Sequence, residues 1–316
     1  MSFSSDVKEE LSRQISSARH CQIAEIAAII SMCGSISMSE AEHFRLRIKT
    51  ESIVVARKYF TLLKKTFNIN IEVFIRQNIY LKKSKTYTVL VKSHEDSLRI
   101  LEATKLLNNN MELKENLVIQ NTCCKRAFIR GAFLAAGSIS DPQKFYHFEI
   151  VCMNIHKADQ LREVINSFGM DAKIVRRKKY YVVYIKEGAQ IVDILNVMEA
   201  HVALMKLENV RILKEMRNCV NRKVNCETAN IQKTVSAAVK QIEDIQYIQS
   251  VIGLESLSEG LEEMARIRLE HPEAALKELG MLLTPQVGKS GVNHRLRKLS
   301  NLAEDLRKSK EESYYD

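Results

Sequence analysis

Arg45, Arg47 and Lys49 occupy alternate positions of the stretch Phe44 to Thr50, with Phe44, Leu46 and Ile48 between them. Cations two residues apart line one face of an extended chain, where they can meet a row of phosphates and release condensed counterions. A second island, Arg176, Arg177, Lys178 and Lys179, is flanked by Lys173 and Lys186 and contains no acid. A third set lies towards the C-terminus: Lys289, Ser290, Asn293, His294, Arg295, Arg297 and Lys298. Asn and Arg can bond bidentately to base edges, and Lys and Arg also pair with phosphate. The bland alternative for each set is a solvated basic surface.

The charge is concentrated. Residues 43–92 hold twelve Lys and Arg against two Glu, which equals the whole formal net charge of +10. Such local excess in a chain of 316 residues points to nucleic acid as partner, and the length suffices for two or three domains. The first helical stretch, Val7 to Ile15, carries Lys8, Glu9, Glu10 and Arg13, so it does not read as a secretory signal. Apolar runs fall short of the ~20 residues a membrane span needs. Seven cysteines without an export signal indicate a reducing cytoplasm. Cys123 and Cys124 are adjacent, Cys219 and Cys226 lie seven apart, and no histidine pair has finger spacing. Structural zinc normally shows two close ligand pairs, so the cysteines read as small half-buried hydrophobes, with no metal and no cofactor expected.

These cations need elements to hold them. Gly34-Ser35-Ile36-Ser37 recurs as Gly137-Ser138-Ile139-Ser140, each copy closing a short apolar helix pattern. Ile23, Ile26, Ala27 and Ile30 keep helical period in the first, with small residues that allow close helix approach. Gly34 is expected to free the backbone at the helix end. There follow the alternating stretch Phe44 to Thr50, a helix at Val54 to Phe67, strands at Ile69 to Arg76 and Tyr87 to Val91, and a helix at Asp96 to Leu107. Lys82, Lys83 and Lys85 lie in the turn between those strands. The second copy repeats the order: helix Arg126 to Ala136, strand Tyr146 to Met153, helix Ala158 to Phe168, strands Ala172 to Arg177 and Tyr180 to Lys186, and a helix from Ala189. Phe67-Asn68-Ile69-Asn70 answers Phe168-Gly169-Met170-Asp171. Where the first copy has Arg45, Arg47 and Lys49, the second has His147, Glu149 and Val151, so its open face is less basic.

A different module follows a polar helical connector. Ser256 to Leu269 reads as a helix with Ser256 and Glu259 as a capping box. Pro272 suits the first position of a second helix, with Leu276, Leu279 and Leu283 inward. After the turn at 284–288, Ser290 is expected to cap a third helix whose Val292, Leu296, Leu299, Leu302 and Leu306 form an apolar stripe. Residues 285–310 carry seven cations against two acids, and a basic third helix resembles the reading helix of a helix-turn-helix. The expected domains are 1–115 (first repeat with its leading helix), 116–220 (second repeat), 221–249 (connector) and 250–316 (helix-turn-helix).

With both modules in view the chain resembles the WhiA family, bacterial regulators that join a LAGLIDADG homing-endonuclease-like domain to a helix-turn-helix. The resemblance rests on Met1-Ser2-Phe3-Ser4, on 130–138 (Arg-Gly-Ala-Phe-Leu-Ala-Ala-Gly-Ser), on 224–230 (Val-Asn-Cys-Glu-Thr-Ala-Asn), and on 289–299 (Lys-Ser-Gly-Val-Asn-His-Arg-Leu-Arg-Lys-Leu). It implies an α+β fold of duplicated αββαββα repeats with saddle-shaped antiparallel sheets, followed by an all-α module. It assigns Arg45, Arg47, Lys49 and the basic turns to a DNA-facing saddle. In nucleases of this fold the last acid of each motif, just before the final Gly, binds the divalent metal. Cys33 and Ala136 stand there, and neither is a hard oxygen ligand. Asp141 reads better as a turn, and Glu25 lies more than two helical turns before Gly34. The resemblance therefore implies a non-enzymatic, sequence-specific regulator of transcription tied to cell division, chromosome segregation and, in spore-formers, sporulation. Its partner is double-stranded DNA in the cytoplasm, at the nucleoid, bound by a monomer with an internal pseudo-twofold; other regulatory proteins remain open as partners. The alternatives are a protein-binding adaptor that touches DNA only through the helix-turn-helix, and a residual nuclease.

Overall fold

A computed structural model describes residues 2–38, 44–77, 85–107 and 116–312. Lys82 and Lys83 of the first basic turn lie outside these residues. The chain divides into two units, Met1–Glu215 and Met216–Asp316.

In the first unit, α1 (Phe3–Arg13) starts at Ser2, whose hydroxyl accepts the Ser5 N–H. The centre is made by α2 (Arg19–Cys33) and its later counterpart α5 (Thr122–Ala136). Ala24 and Ile26 to Ile30 of α2 are completely buried, the signature of a helix enclosed on all sides. Small residues set the helix spacing: a Cβ on Gly131 would stand 2.6 Å from the Glu25 carbonyl oxygen and 2.9 Å from Ala28 Cβ. Only glycine permits that approach.

Each motif helix runs directly into a strand. The first sheet comprises β1 (Gly34–Met38), β2 (Phe44–Thr50), β3 (Glu72–Gln77) and β4 (Lys85–Val91), antiparallel in the order β1-β2-β4-β3. Between β2 and β3 lies α3 (Ile53–Phe67), and α4 (His94–Ala103) follows β4. The second sheet repeats this with β5 (Gly137–Ile139), β6 (Phe148–Cys152), β7 (Lys173–Arg177) and β8 (Tyr180–Ile185), ordered β5-β6-β8-β7. Its helices are α6 (Ile155–Asn166) and α7 (Gly188–Met198). The αββαββα repeat is thus present twice. The repeated Gly-Ser-Ile-Ser is itself an edge strand, too short for periodicity to reveal.

The role expected for Gly34 is corrected. Gly34 and Gly137 have φ of −79° and −89°, ordinary extended values, so neither is there for a left-handed exit. Their reason is steric: a Cβ on Gly34 would fall 2.5 Å from the Ile30 carbonyl oxygen, and one on Gly137 would collide with Phe133. Left-handed residues do stand at the other matched junction, Asn68 (φ 53°) and Gly169 (φ 83°), the two types that tolerate it best.

The connector is helical and continuous with the helix before it. It is the later part of α8 (His201–Val251), a single 51-residue helix. In the second unit, Ile245 and Ile248 join a core with Met264 of α9 (Glu259–Glu270), Leu279 of α10 (Leu276–Leu282), and Val292, Leu296 and Leu299 of α11 (Lys289–Glu312). Leu283 is buried as expected, and Leu302 and Leu306 pack on the same core. Three expected caps are displaced. Ser256 closes a 3-10 turn (Leu254–Ser256), its hydroxyl donating to the Gly253 carbonyl, and α9 begins only after Ser258. Pro272 lies in the turn before α10, where the Glu278 carboxylate accepts the Ala275 N–H. Ser290 is inside the first turn of α11, which opens at the Gly288 carbonyl.

Candidate nucleic-acid interface

Alternation on β2 sends Leu46 and Ile48 into the core and Arg45, Arg47 and Lys49 to the open face of the first sheet. Register brings the repeated serines alongside: Ser37 stands opposite Arg45 and Ser35 opposite Arg47. Opposed residues of antiparallel strands share a face, so hydroxyls and cations alternate there. Among the described residues none of the three cations has an acidic partner within ion-pair distance. Phe74 and Arg76 of β3 pair with Thr88 and Thr86 and extend the same face. Neither stands out by charge clustering in the sequence, although the pattern Phe74-Ile75-Arg76 sets an aromatic and a cation two apart.

The second sheet carries the same backbone with different charge. Glu149 of β6 takes the place that Arg47 holds in the first sheet. Its carboxylate accepts Ser138 Oγ at 3.1 Å, His147 Nε2 at 3.0 Å and Arg177 Nη1 at 2.9 Å. Partial burial would raise its pKa, but the bonds from His147 and Ser138 and the Arg177 charge outweigh that and lower it. The four cations of the second island are therefore not equivalent. Arg177 is engaged by Glu149, and Arg176 is on the opposite face of β7. Lys178 and Lys179 are exposed at the hairpin tip, Lys178 with φ 55° and Lys179 over the Tyr180 ring at 5.3 Å.

On α11, Lys289, Ser290, Asn293, His294, Arg297 and Lys298 are exposed. Ser290, Asn293, His294 and Arg297 follow i, i+3, i+4, i+7 spacing and so form one stripe. Arg295 is set apart. It is half-buried, donates to the Gly260 carbonyl at 3.2 Å and lies 3.9 Å from the Glu263 carboxylate, tying α11 to α9.

At the motif-helix ends, Cys33 Sγ donates to the Ile29 carbonyl at 3.2 Å, and burial pushes its thiol up to about 12. Ala136 offers no donor. Glu25 is completely buried, 3.0 Å from Lys58 Nζ and 3.3 Å from Arg130 Nε, while Arg130 also reaches Glu199 at 2.7 Å. Its charge is shared by two buried cations, with Glu199 as the second acid of the cluster, so it is no substitute metal ligand. A different grouping is invisible to the spacing rules. The ligand atoms of His20, Cys21, Cys123 and Cys124 all lie within 4.8 Å of one another. Two pairs adjacent in sequence, on two different helices, meet in space.

Two duplicated αββαββα halves around a paired-helix centre, together with three helices ending in a basic one, define a LAGLIDADG-like domain joined to a helix-turn-helix. Family models agree in three parts: the WhiA N-terminal LAGLIDADG-like domain at residues 19–107, the WhiA LAGLIDADG-like domain at 125–217 and the WhiA C-terminal HTH domain at 220–303. A relative in Lachnoclostridium phytofermentans, named probable cell division protein WhiA, is 58% identical, covering 97% of this chain and 100% of its own. One of the same name in Alkaliphilus oremlandii is 51% identical over 98% of this chain and 99% of its own. The crystal structure of full-length WhiA from Thermotoga maritima shares the fold with a TM-score of 0.60 and 24% identity, over 96% of this chain and 99% of that one. The chain belongs to the WhiA family. Among the described residues no helix is long and apolar enough to cross a membrane.

Proposed function

We propose that this protein is a non-enzymatic, sequence-specific DNA-binding regulator of transcription acting in cell division, with α11 reading bases. The observation that carries this is the exposed stripe Ser290, Asn293, His294 and Arg297 on a helix whose opposite side is the core of the second unit. Lys289 and Lys298 flank the stripe and suit phosphates. Arg45, Arg47 and Lys49, with Lys178 and Lys179, supply further phosphate contacts from the first unit. The family match and the relatives' names support the cell-division role; chromosome segregation and, in spore-formers, sporulation follow from the family resemblance. Binding to double-stranded DNA places the protein at the nucleoid in the cytoplasm. Because both repeats sit in one chain, a monomer supplies the pseudo-twofold. The working parts are 1–115, 116–220, 221–249 and 250–316.

Replacing Asn293 and Arg297 by Ala in the full chain tests the assignment of α11. Each good base contact is worth about 1–3 kcal/mol, so affinity for the operator should fall at least tenfold while non-specific binding changes little. An unchanged sequence preference would refute the assignment. Absence of cleavage follows from Cys33 and Ala136, since two-metal hydrolysis needs oxygen ligands on the metals. Supercoiled plasmid incubated with the protein and Mg²⁺ or Mn²⁺ should stay unnicked. Nicking abolished by EDTA would contradict the non-enzymatic reading.

A further inference from the structure

The pairs His20-Cys21 and Cys123-Cys124 occupy the second and third residues of α2 and α5. Their offset of 103 residues is the same one that relates Gly34 to Gly137, so His20 matches Cys123 and Cys21 matches Cys124 across the internal duplication. The cluster therefore lies on the pseudo-twofold, at the opposite end of the motif helices from Cys33 and Ala136. His20 Nδ1 is 3.1 Å from Cys124 Sγ, 3.3 Å from Cys21 Sγ and 3.9 Å from Cys123 Sγ. A tetrahedral zinc with Zn–S of about 2.3 Å sets its ligands roughly 3.5–3.8 Å apart, and the four atoms here all lie within 4.8 Å of one another, so small side-chain shifts would bring them to that spacing.

We propose that His20, Cys21, Cys123 and Cys124 form a Cys₃His zinc site that ties together the N-terminal ends of α2 and α5. Thiolate and imidazole donors in a four-coordinate set select zinc over hard cations such as Mg²⁺. Three thiolates, a neutral imidazole and Zn²⁺ leave one negative charge. All four ligands stand in the first turns of two helices, where unpaired N–H groups and the helix dipoles favour negative charge. Arg126 lines the cavity beside Cys21 and Cys123 and adds a cation there. Cys21 and Cys124 are buried, whereas His20 and Cys123 are exposed, which gives the ion an entry path. No group of the helix-turn-helix takes part, so the site is independent of the DNA-binding assignment.

Elemental analysis of the full-length chain, purified under reducing and anaerobic conditions without chelator, tests the site. One zinc per chain is expected, lost in both Cys124→Ser and Cys123→Ser and retained in Cys226→Ser, whose cysteine is exposed on α8. Cobalt loaded into the apo-protein should show tetrahedral ligand-field bands and thiolate charge transfer, absent in His20→Ala. Because Cys123 and His20 are exposed, their variants are expected to keep the wild-type circular dichroism, which separates a loss of ligation from a loss of folding. Metal-free protein with no cobalt bands overturns the proposal. So does zinc that survives both cysteine substitutions, or a disulfide between Cys21 and Cys124 in alkylated peptide maps of the anaerobic protein.

Discussion

Single residues here divide between holding the fold and facing outward, and type alone does not sort them. Arg295 and Arg297 differ by two positions, yet one is clasped by Gly260 and Glu263 and the other is open to solvent. Glu25 shows the same point with a carboxylate. Burial lowers the Lys58 pKa against the attraction of Glu25, and Lys58 also donates to the carbonyls of Leu11 and Gln14 at the end of α1. One acid thus anchors cations from α3 and α5, the helices against which α1 packs. Glu25→Gln would leave Lys58 buried without its counter-charge and Arg130 with Glu199 alone. It should cost about 3–5 kcal/mol, read as a lower urea midpoint with an unchanged m-value. A variant within about 0.5 kcal/mol of wild type would show that the trio contributes little.

At the scale of elements, β2 is the most legible part of the sequence. Strict alternation over seven residues specifies a half-buried strand, and the structure gives those bounds. Replacing Arg45, Arg47 and Lys49 together by Gln therefore leaves the core face intact and isolates their charge. The slope of log affinity against log salt should flatten by about 0.9 for each phosphate that the variant no longer neutralises. An unaltered slope would mean that this face does not meet DNA. The short strands β1 and β5 are not legible from pattern, because three to five residues ending a helix carry no measurable period. Caps are misplaced for a related reason: Ser256, Pro272 and Ser290 have the right types, but each helix starts where its packing begins. The sulfur and nitrogen cluster escapes because its two pairs belong to different helices, and spacing rules see one chain segment at a time.

At the scale of the whole molecule, one long stretch of the described residues is covered by neither core. Every residue of α8 from 215 to 237 is exposed, although the helix is continuous from His201 to Val251. A helix without tertiary packing is held only by its own propensity and hydrogen bonds, so its local opening costs far less than global unfolding. Limited trypsin digestion should cut first at Arg217, Arg222, Lys223 or Lys233 and release two fragments that each stay folded. First cleavage elsewhere, or rapid degradation of either fragment, would show that the two cores are not separately stable.

The pinning of Glu149 bears on direction. The two sheets share a backbone plan, but one presents Arg45, Arg47 and Lys49 while the other presents a carboxylate already satisfied by Ser138, His147 and Arg177. A duplex lying along both would meet unopposed cations across the face of one sheet, and on the other a central carboxylate with free cations only towards the hairpin tip. On the proposed reading, turning the DNA end for end exchanges its contacts, and a palindrome offers such a protein no advantage. The preferred operator should therefore be asymmetric, read in a single orientation.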